Sequence, residues 1–253
     1  MVMRRVLVVP ALALAAASCV SATGRPPSRG DLIRGILAST VQLRSEREGG
    51  IRRAASGVVV AADPGSGRAW IVTAKHFLDP PSRQAVSVRL PGRTNVRAAS
   101  VTFVSREHDL AILEAEDLEV APVRLKLSTH LADEIMVVAF PWGQRFTVVG
   151  GLVSQIGVVP TGQSLVTGPP RMVDASVSYG SSGGGVFDAE TGALVGIVEG
   201  YRTAKVAIPE MKERVFEMPV AGETTVISAA TIRGFLVEAG LENFLADAGP
   251  VRR

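Results

Sequence analysis

The 253-residue chain is short of the residues that staple or decorate small folds: it has one cysteine, three histidines, two tryptophans and two tyrosines. A single cysteine excludes any internal disulfide and any thiolate zinc cluster, so stability must come from packing. The histidines, His76, His108 and His130, stand 32 and 22 residues apart and no His-Glu-x-x-His pair occurs, so no local metal motif exists and no cofactor is implied. Acidic and basic residues nearly balance, at 24 and 27. Beyond Arg52-Arg53 and the terminal Arg252-Arg253 there is no basic cluster of the kind that binds nucleic acid, which is therefore not an expected partner. Hydrophobic residues make up 47% of the chain, enough for a full core in one large domain or two small ones.

No apolar run is long enough to cross a bilayer. Val6 to Ala17, 12 uncharged residues behind Arg4-Arg5, fits the apolar region of a secretory signal, so residues 1–18 read as an export signal. The run ends at Ala16-Ala17-Ser18-Cys19, which resembles a bacterial lipoprotein cleavage box with Cys19 as the lipidated residue, although Ala16 stands where that box usually has Leu. An ordinary Ala-x-Ala-type cleavage with Cys19 incidental is the other reading. Either implies a periplasmic or cell-envelope location, with a lipid anchor in the first case. Loss of residues 1–18 removes two basic and no acidic residues, leaving 25 against 24.

Residues 19–30, rich in Ser, Gly, Pro and Arg, read as a tether, and a helix is expected from Asp31 to Ala38 with Asp31 as N-cap. Short β-rich runs follow in two series. The first comprises Val41 to Leu43, Gly57 to Ala62, Ala69 to Thr73, Ala85 to Leu90, Val96 to Val104 and Leu110 to Glu114. The second comprises Glu134 to Phe140, Arg145 to Val159, Met172 to Val177, Gly185 to Phe187, Ala193 to Val198 and Thr224 to Ile227. Strands at this spacing without alternating helices favour antiparallel barrels or sandwiches. A helix is expected over Ala229 to Asp247, with Ile232, Phe235, Leu236, Ala239 and Leu241 on one stripe.

Chemistry concentrates in three places. Tyr179-Gly180-Ser181-Ser182-Gly183-Gly184-Gly185 permits a sharp turn whose backbone N–H groups face one point, as an exposed nucleophile with an oxyanion hole requires. Residues 180–184 also satisfy Gly-x-Ser-x-Gly, the nucleophile elbow of α/β-hydrolases. That fold needs its histidine after the serine, and all three histidines precede Ser182. A glycine-rich hairpin without chemistry is the bland reading. The other two places are Thr73-Ala74-Lys75-His76, at the end of an apolar strand, and Asp109-Leu110-Ala111-Ile112-Leu113. The order His, Asp, Ser, with the first two in one strand series and the third in the other, lets a base and its orienter meet a nucleophile at a barrel interface.

These motifs together resemble the chymotrypsin-like serine peptidases, and among them the bacterial HtrA-like branch. Thr73 to His76 is similar to the family's Thr-Ala-Ala-His, Asp109 to Leu113 to its Asp-Leu-Ala-Val-Leu, and Gly180 to Gly184 to its Gly-Asn-Ser-Gly-Gly. Phe140-Pro141-Trp142-Gly143, Thr147 to Ser154, Asp174-Ala175-Ser176 and Gly192 to Val198 agree with further family segments, so that roughly residues 33 to 240 are covered. The resemblance implies an all-β fold of two antiparallel six-stranded β-barrels, about 33–115 and 123–228, closed by a C-terminal helix. It also implies a serine endopeptidase acting on polypeptides, with Ser182 as nucleophile, His76 as general base and Asp109 as its orienter. The N–H groups of Gly180 and Ser182 would form the oxyanion hole. An inactive peptide-binding module on the same fold, or an acyl hydrolase of small esters, are the alternatives.

Substrate contacts implied by the resemblance are Ser176 at the base of the primary pocket, Tyr179 beside the nucleophile turn, and Glu199, Gly200 and Tyr201 on the strand that pairs with substrate. An uncharged Ser176 implies an uncharged residue at the cleavage point. Departures from the family carry expectations too. Lys75 would lower the His76 pKa unless it turns to solvent, Gly185 in place of Pro would loosen the turn, and Glu199 would bring a carboxylate near the triad. Ser181 stands in place of the Asp with which animal trypsins read a freed N-terminus, so that route of activation is not expected. His108 and His130 are expected to be structural and surface residues. Arg202 to Gly222 reads as a lid or as an excursion on the second barrel. The PDZ domain that many HtrA-like enzymes carry is not expected after Asp247, and oligomeric state is not legible.

Overall fold

The structure, a computed structural model, describes residues 28–80, 84–118, 120–157, 164–207 and 215–246. The export signal, Cys19 and nearly all of the tether lie outside the described residues. Helix α1 (Arg29–Ser39) starts two residues earlier than the sequence suggests. Ser28 is the N-cap, and Asp31 sits at the third helical position, where its carboxylate accepts from the Ser28 N–H at 3.0 Å while the Asp31 N–H donates to Ser28 Oγ at 3.2 Å. This reciprocal capping box satisfies two donors that a cap at Asp31 would leave free.

Six strands then close the first barrel: β1 (Thr40–Arg47), β2 (Arg52–Asp63), β3 (Arg68–Ala74), β4 (Gln84–Arg89), β5 (Val96–Val104) and β6 (Leu110–Glu116), in the order β1-β2-β3-β6-β5-β4. Short β7 (Thr129–His130) pairs with β10 (Thr167–Gly168) outside the barrels. The second barrel uses β8 (Glu134–Ala139), β9 (Thr147–Ile156), β11 (Pro170–Val173), β12 (Gly185–Asp188), β13 (Leu194–Ala207) and β14 (Val215–Ser228), in the order β11-β14-β13-β12-β8-β9. All neighbours within the barrels are antiparallel, so the expected all-β architecture of paired six-stranded barrels is the one observed.

The continuous apolar runs are explained by two buried faces. Along β2, Val59 joins Leu43, Ile71 and Leu113 inside the first barrel, while Val58 and Val60 point the other way into a core shared with the second barrel. That shared core takes Val72, Leu110 and Ile112 from one side and Met136, Val138, Phe187 and Ile197 from the other. Ile36 of α1 and Ile232, Phe235 and Leu236 of helix α2 (Ala229–Glu238) seal it. The barrels are therefore fused along a shared apolar seam, and groups at its rim are held in fixed relation.

Helix α2 and the Arg202 to Gly222 segment also depart from expectation. Helix α2 stops nine residues short of Asp247 because Gly240 adopts φ +72, and the N–H groups of Gly240 and Leu241 fold back onto the carbonyls of Val237 and Leu236. Leu241 still buries against the seam. The Arg202 to Gly222 segment is neither lid nor loop where it is described: β13 and β14 run on as a ladder from Thr203 opposite Pro219 to Ala207 opposite Val215.

Candidate active site

The site forms at the seam because three elements end there. The β3–β6 pairing sets Ala74 opposite Leu110, so that the residues just beyond, Lys75 and Asp109, stay in register and the Lys75 N–H donates to Asp109 O at 3.1 Å. A single 3-10 turn, Lys75–Leu78, then lifts His76 out of the barrel. Asp109 grips that histidine twice, accepting from the His76 N–H at 2.7 Å on Oδ1 and lying 2.6 Å from Nδ1 through Oδ2. On the other side of the ring, Nε2 lies 3.0 Å from Ser182 Oγ. Residues 33 and 106 positions from His76 thus lie in one hydrogen-bonded line across both barrels.

The nucleophile turn is shaped by glycine and by a seam serine. Gly180 and Gly183 adopt φ of +88 and +77. A Cβ at Gly183 would stand 2.2 Å from Ser56 O and 2.3 Å from Thr73 Oγ1, so only glycine passes beneath the first barrel there. Ser56, fully buried on β2, ties the turn down: its N–H donates to Ser182 O at 2.9 Å, its Oγ donates to Gly180 O at 2.9 Å and accepts from the Phe140 N–H at 2.8 Å. Sequence reading passed over Ser56. The signal available was a lone hydroxyl at the head of an apolar strand, whose burial requires partners.

Two further peptide planes fix the direction of two N–H groups. Tyr179 O accepts from the Trp142 N–H at 2.7 Å, and Ser181 O accepts from the Gly184 N–H at 2.8 Å. In a planar trans peptide the N–H of the next residue then faces the opposite way. Those next residues are Gly180 and Ser182, whose N–H groups donate to no protein acceptor among the described residues. A pair of open donors beside Ser182 Oγ is what an oxyanion requires.

The electrostatics favour a charged imidazole. The hydrogen bond to Asp109 raises the His76 pKa above its ordinary 6.5, partial burial opposes this, and the charges of Asp109 and Asp79 add to the rise while Arg53 subtracts. Burial pushes the Asp109 carboxyl up, but its hydrogen bond to His76, the His76 charge and backbone N–H, and Lys75 together bring it below its ordinary 3.8. The expected depression of His76 by Lys75 is not found: Lys75 Nζ turns away to Ser105 O at 3.1 Å, and its charge acts on Asp109.

Other expected residues are placed differently from one another. Ser176, Ser178 and Ser181 line a cavity of about 240 Å³ with Val137, Ala139 and Val149, on one side of the turn. Glu199 lines a separate cavity with His108, Arg171 and Arg202, and makes no hydrogen bond to His76, Asp109 or Ser182. Gly200 and Tyr201 follow it on β13, opposite Thr225 and Thr224 of β14. Ser176 and Glu199 thus line two different cavities. Tyr179, about half exposed, stacks on Trp142 with ring centroids 5.2 Å apart. Gly185 does not loosen the turn, since it is paired to both Val138 and Ile197 and the Phe187 ring fills the space a side chain would take. His108 is exposed rather than packed as a structural residue and makes no hydrogen bond to the triad, and His130, at the end of β7, is exposed beside Asp133. Among the described residues no group of three or more His, Cys, Asp or Glu could hold a metal, and no helix is long and apolar enough to cross a membrane.

Comparison with known proteins accords with this geometry. The chain is 28% identical over 144 residues to the serine endoprotease DegS of Haemophilus influenzae, and 29% identical over 144 residues to a probable periplasmic DegP-like serine endoprotease of Hahella chejuensis. These matches take in 56% of this chain but only 40% and 28% of the relatives, so it matches less than half the length of either. A serine endoprotease from Yersinia pestis superposes with a TM-score of 0.63 at 20% identity, over 87% of this chain and 69% of that one. The active form of a protease from M. tuberculosis superposes with a TM-score of 0.62 at 19% identity, over 100% of this chain and 97% of that one. At such identities the structural likeness speaks for the fold alone. A family profile described as trypsin-like peptidase domain matches residues 55–197, more than half of the chain and inclusive of all three residues of the hydrogen-bonded line, and the chain belongs to that family.

Proposed function

We propose that the chain is a serine endopeptidase that cleaves polypeptides through Ser182, His76 and Asp109. The observation that carries this reading is the unbroken line from Asp109 Oδ2 through His76 to Ser182 Oγ, at 2.6 and 3.0 Å, beside the open N–H groups of Gly180 and Ser182. With Asp109 accepting from Nδ1–H, the neutral ring has its lone pair on Nε2, directed at the Ser182 hydroxyl. Ser182 Oγ attacks the scissile carbonyl as Nε2 takes its proton, and the oxyanion is held by the two N–H groups. The imidazolium then gives that proton to the amine nitrogen as the C–N bond breaks. Water, deprotonated by the same Nε2, releases the acyl group and restores Ser182. Asp109 stabilises the imidazolium in both steps, which is consistent with the raised His76 pKa. We place the enzyme outside the cytoplasm, in the periplasm or cell envelope, with Cys19 as a lipid attachment point, and assign it an uncharged residue at the cleavage point because Ser176 bears no charge.

The test is fluorophosphonate labelling of the mature chain beside Ser182→Ala at neutral pH. Labelling of the first and not the second is expected; a folded wild-type chain that does not label refutes the reading. Peptide-bond cleavage divides the readings: an endopeptidase is expected to cleave peptides as well as turn over p-nitrophenyl esters, and an acyl hydrolase to turn over the esters alone.

A further inference from the structure

Where Trp142 meets the nucleophile turn lies an open groove of about 810 Å³. Both barrels build it: Arg44 of β1 and the β4 end from Arg89 to Arg93 form one side, and the segment from Phe140 to Phe146 forms the other. Four arginines line it, Arg44, Arg89, Arg93 and Arg145, and no Asp or Glu does. None of the four is ion-paired to a carboxylate among the described residues. Arg44 donates to Gly143 O at 3.0 Å and so bridges the two sides of the groove.

Segregation of four cations is not what overall charge dictates, because the chain beyond residue 18 carries 25 basic against 24 acidic residues. Like charges in one groove repel and weaken the folded state, and the field they focus attracts anions. The groove is also aromatic. The Trp142 indole is 66% exposed and Phe146 39% exposed, and Trp142 is held outward by a φ of 55, a conformation that costs a non-glycine residue energy. The same Trp142 whose ring borders the groove donates its N–H to Tyr179 O, so the groove abuts the oxyanion donors.

Direction follows from that contact. The acyl half of a substrate is expected beside Glu199 to Tyr201 on β13, the strand whose Val198 O binds the Gly183 N–H. The Phe140 to Gly143 wall meets the turn at Gly180 instead, where the site of a Cβ lies 2.7 Å from Trp142 N. The groove therefore faces the leaving-group half.

We propose that this groove binds the polypeptide C-terminal to the scissile bond and selects segments bearing Asp or Glu side chains. The proposal rests on the peptidase reading above and extends it to substrate class. Each exposed ion pair contributes about 1.4- to 5-fold in binding, so two or three acidic residues should give about tenfold discrimination, most of it screened at high salt.

The experiment uses internally quenched peptides with one shared N-terminal half and amidated C-termini, carrying Asp/Glu, Asn/Gln or Lys at the second to fourth positions after the scissile bond. Amidation separates side-chain carboxylates from a terminal one. The acidic peptide should have a kcat/KM about tenfold above the amide peptide at low salt. That ratio should fall toward one at about 0.5 M salt and in the Arg89→Gln/Arg93→Gln double variant, and persist in Arg233→Gln on the exposed face of α2. Equal rates for all three peptides, from a chain that labels with fluorophosphonate, overturn the groove and leave the peptidase standing. A chain that neither labels nor cleaves refutes the peptidase. The groove is then decided by fluorescence anisotropy of the amidated acidic peptide: weakening of about fivefold or more in the double variant supports it, and equal binding overturns it.

Discussion

Replacing Ser56 by Ala removes one oxygen atom from the seam and should impair both stability and acylation. Ser56 has no exposed surface, and its Oγ donates to Gly180 O at 2.9 Å while accepting from the Phe140 N–H at 2.8 Å. Both partners are themselves buried, so no bulk water replaces the lost oxygen. A buried donor or acceptor left unpaired costs about 1–3 kcal/mol, and two of them, partly relaxed toward each other, should cost about 2–4 kcal/mol. For a chain of this size about 3 kcal/mol corresponds to a fall in Tm of about 6–12 °C. The bond from the Ser56 N–H to Ser182 O and the one from Thr73 Oγ1 to Ser56 O do not use the Ser56 hydroxyl and survive the substitution, so the fold should persist with a loosened turn. Gly180 O and Gly180 N belong to the same residue, and freeing the carbonyl lets the oxyanion donor drift. Loss of a whole oxyanion donor costs about 10²–10³ in rate, so a displaced one should slow labelling by about tenfold or more. The assays are thermal melting and the second-order rate of fluorophosphonate labelling, with Ser182→Ala as blank. Melting within about 2 °C of wild type together with an unchanged labelling rate would refute the reasoning, because the seam would then have absorbed two unpaired polar groups without consequence.

Three further outcomes are expected. Because Asp109 raises the His76 pKa and catalysis needs the neutral ring, kcat/KM should rise with pH through a midpoint above 6.5, and Asp109→Asn should lower both that midpoint and the rate. The same linkage makes the ion pair's contribution to stability full below the ordinary value of 6.5 and lost as pH rises through the raised folded value. The gap in urea midpoint between wild type and Asp109→Asn should therefore shrink from about pH 6 to about pH 9, and a gap that widens contradicts the sign. If Cys19 is lipidated, the full chain expressed in a bacterial host should partition into Triton X-114 and lose that partitioning in Cys19→Ser; aqueous partitioning of both reduces Cys19 to an incidental residue.

Much of the fold was legible because both faces of the central strands are buried. Continuous runs such as Gly57 to Ala62 and Leu110 to Leu113 have no other use in a chain of this composition, and they reappear in β2 and β6. The helix ends were misread for local reasons: Ser28 outcompetes Asp31 as a cap because the pair can satisfy each other's backbone donors, and Gly240 ends α2 by a left-handed φ that an apolar stripe does not register. The candidate triad was readable as three separated motifs in a chain order that one hydrolase architecture accommodates and another forbids. Ser56 was legible only as a lone hydroxyl before an apolar run, since the partners of that hydroxyl, Phe140 and Gly180, are on the other barrel and offer only backbone atoms, which leave no side-chain pattern.

The sequence by itself determined the element types, the division into two strand series and the identity of the three residues that could share chemistry, because each depends on short-range periodicity or on residue type at a strand end. Tertiary structure alone decided what depends on approach between the barrels. It set the 3.0 Å from His76 to Ser182, the opening of the Gly180 and Ser182 N–H groups, and the separation of Ser176 from Glu199 into different cavities. It also gathered arginines from β1, β4 and the Phe140 to Phe146 segment into one groove. In the linear chain those arginines are up to 101 residues apart and look like ordinary solvated charges. Only closure of both barrels against a common seam brings their fields together, because Coulomb interactions act through space and sequence separation does not measure it.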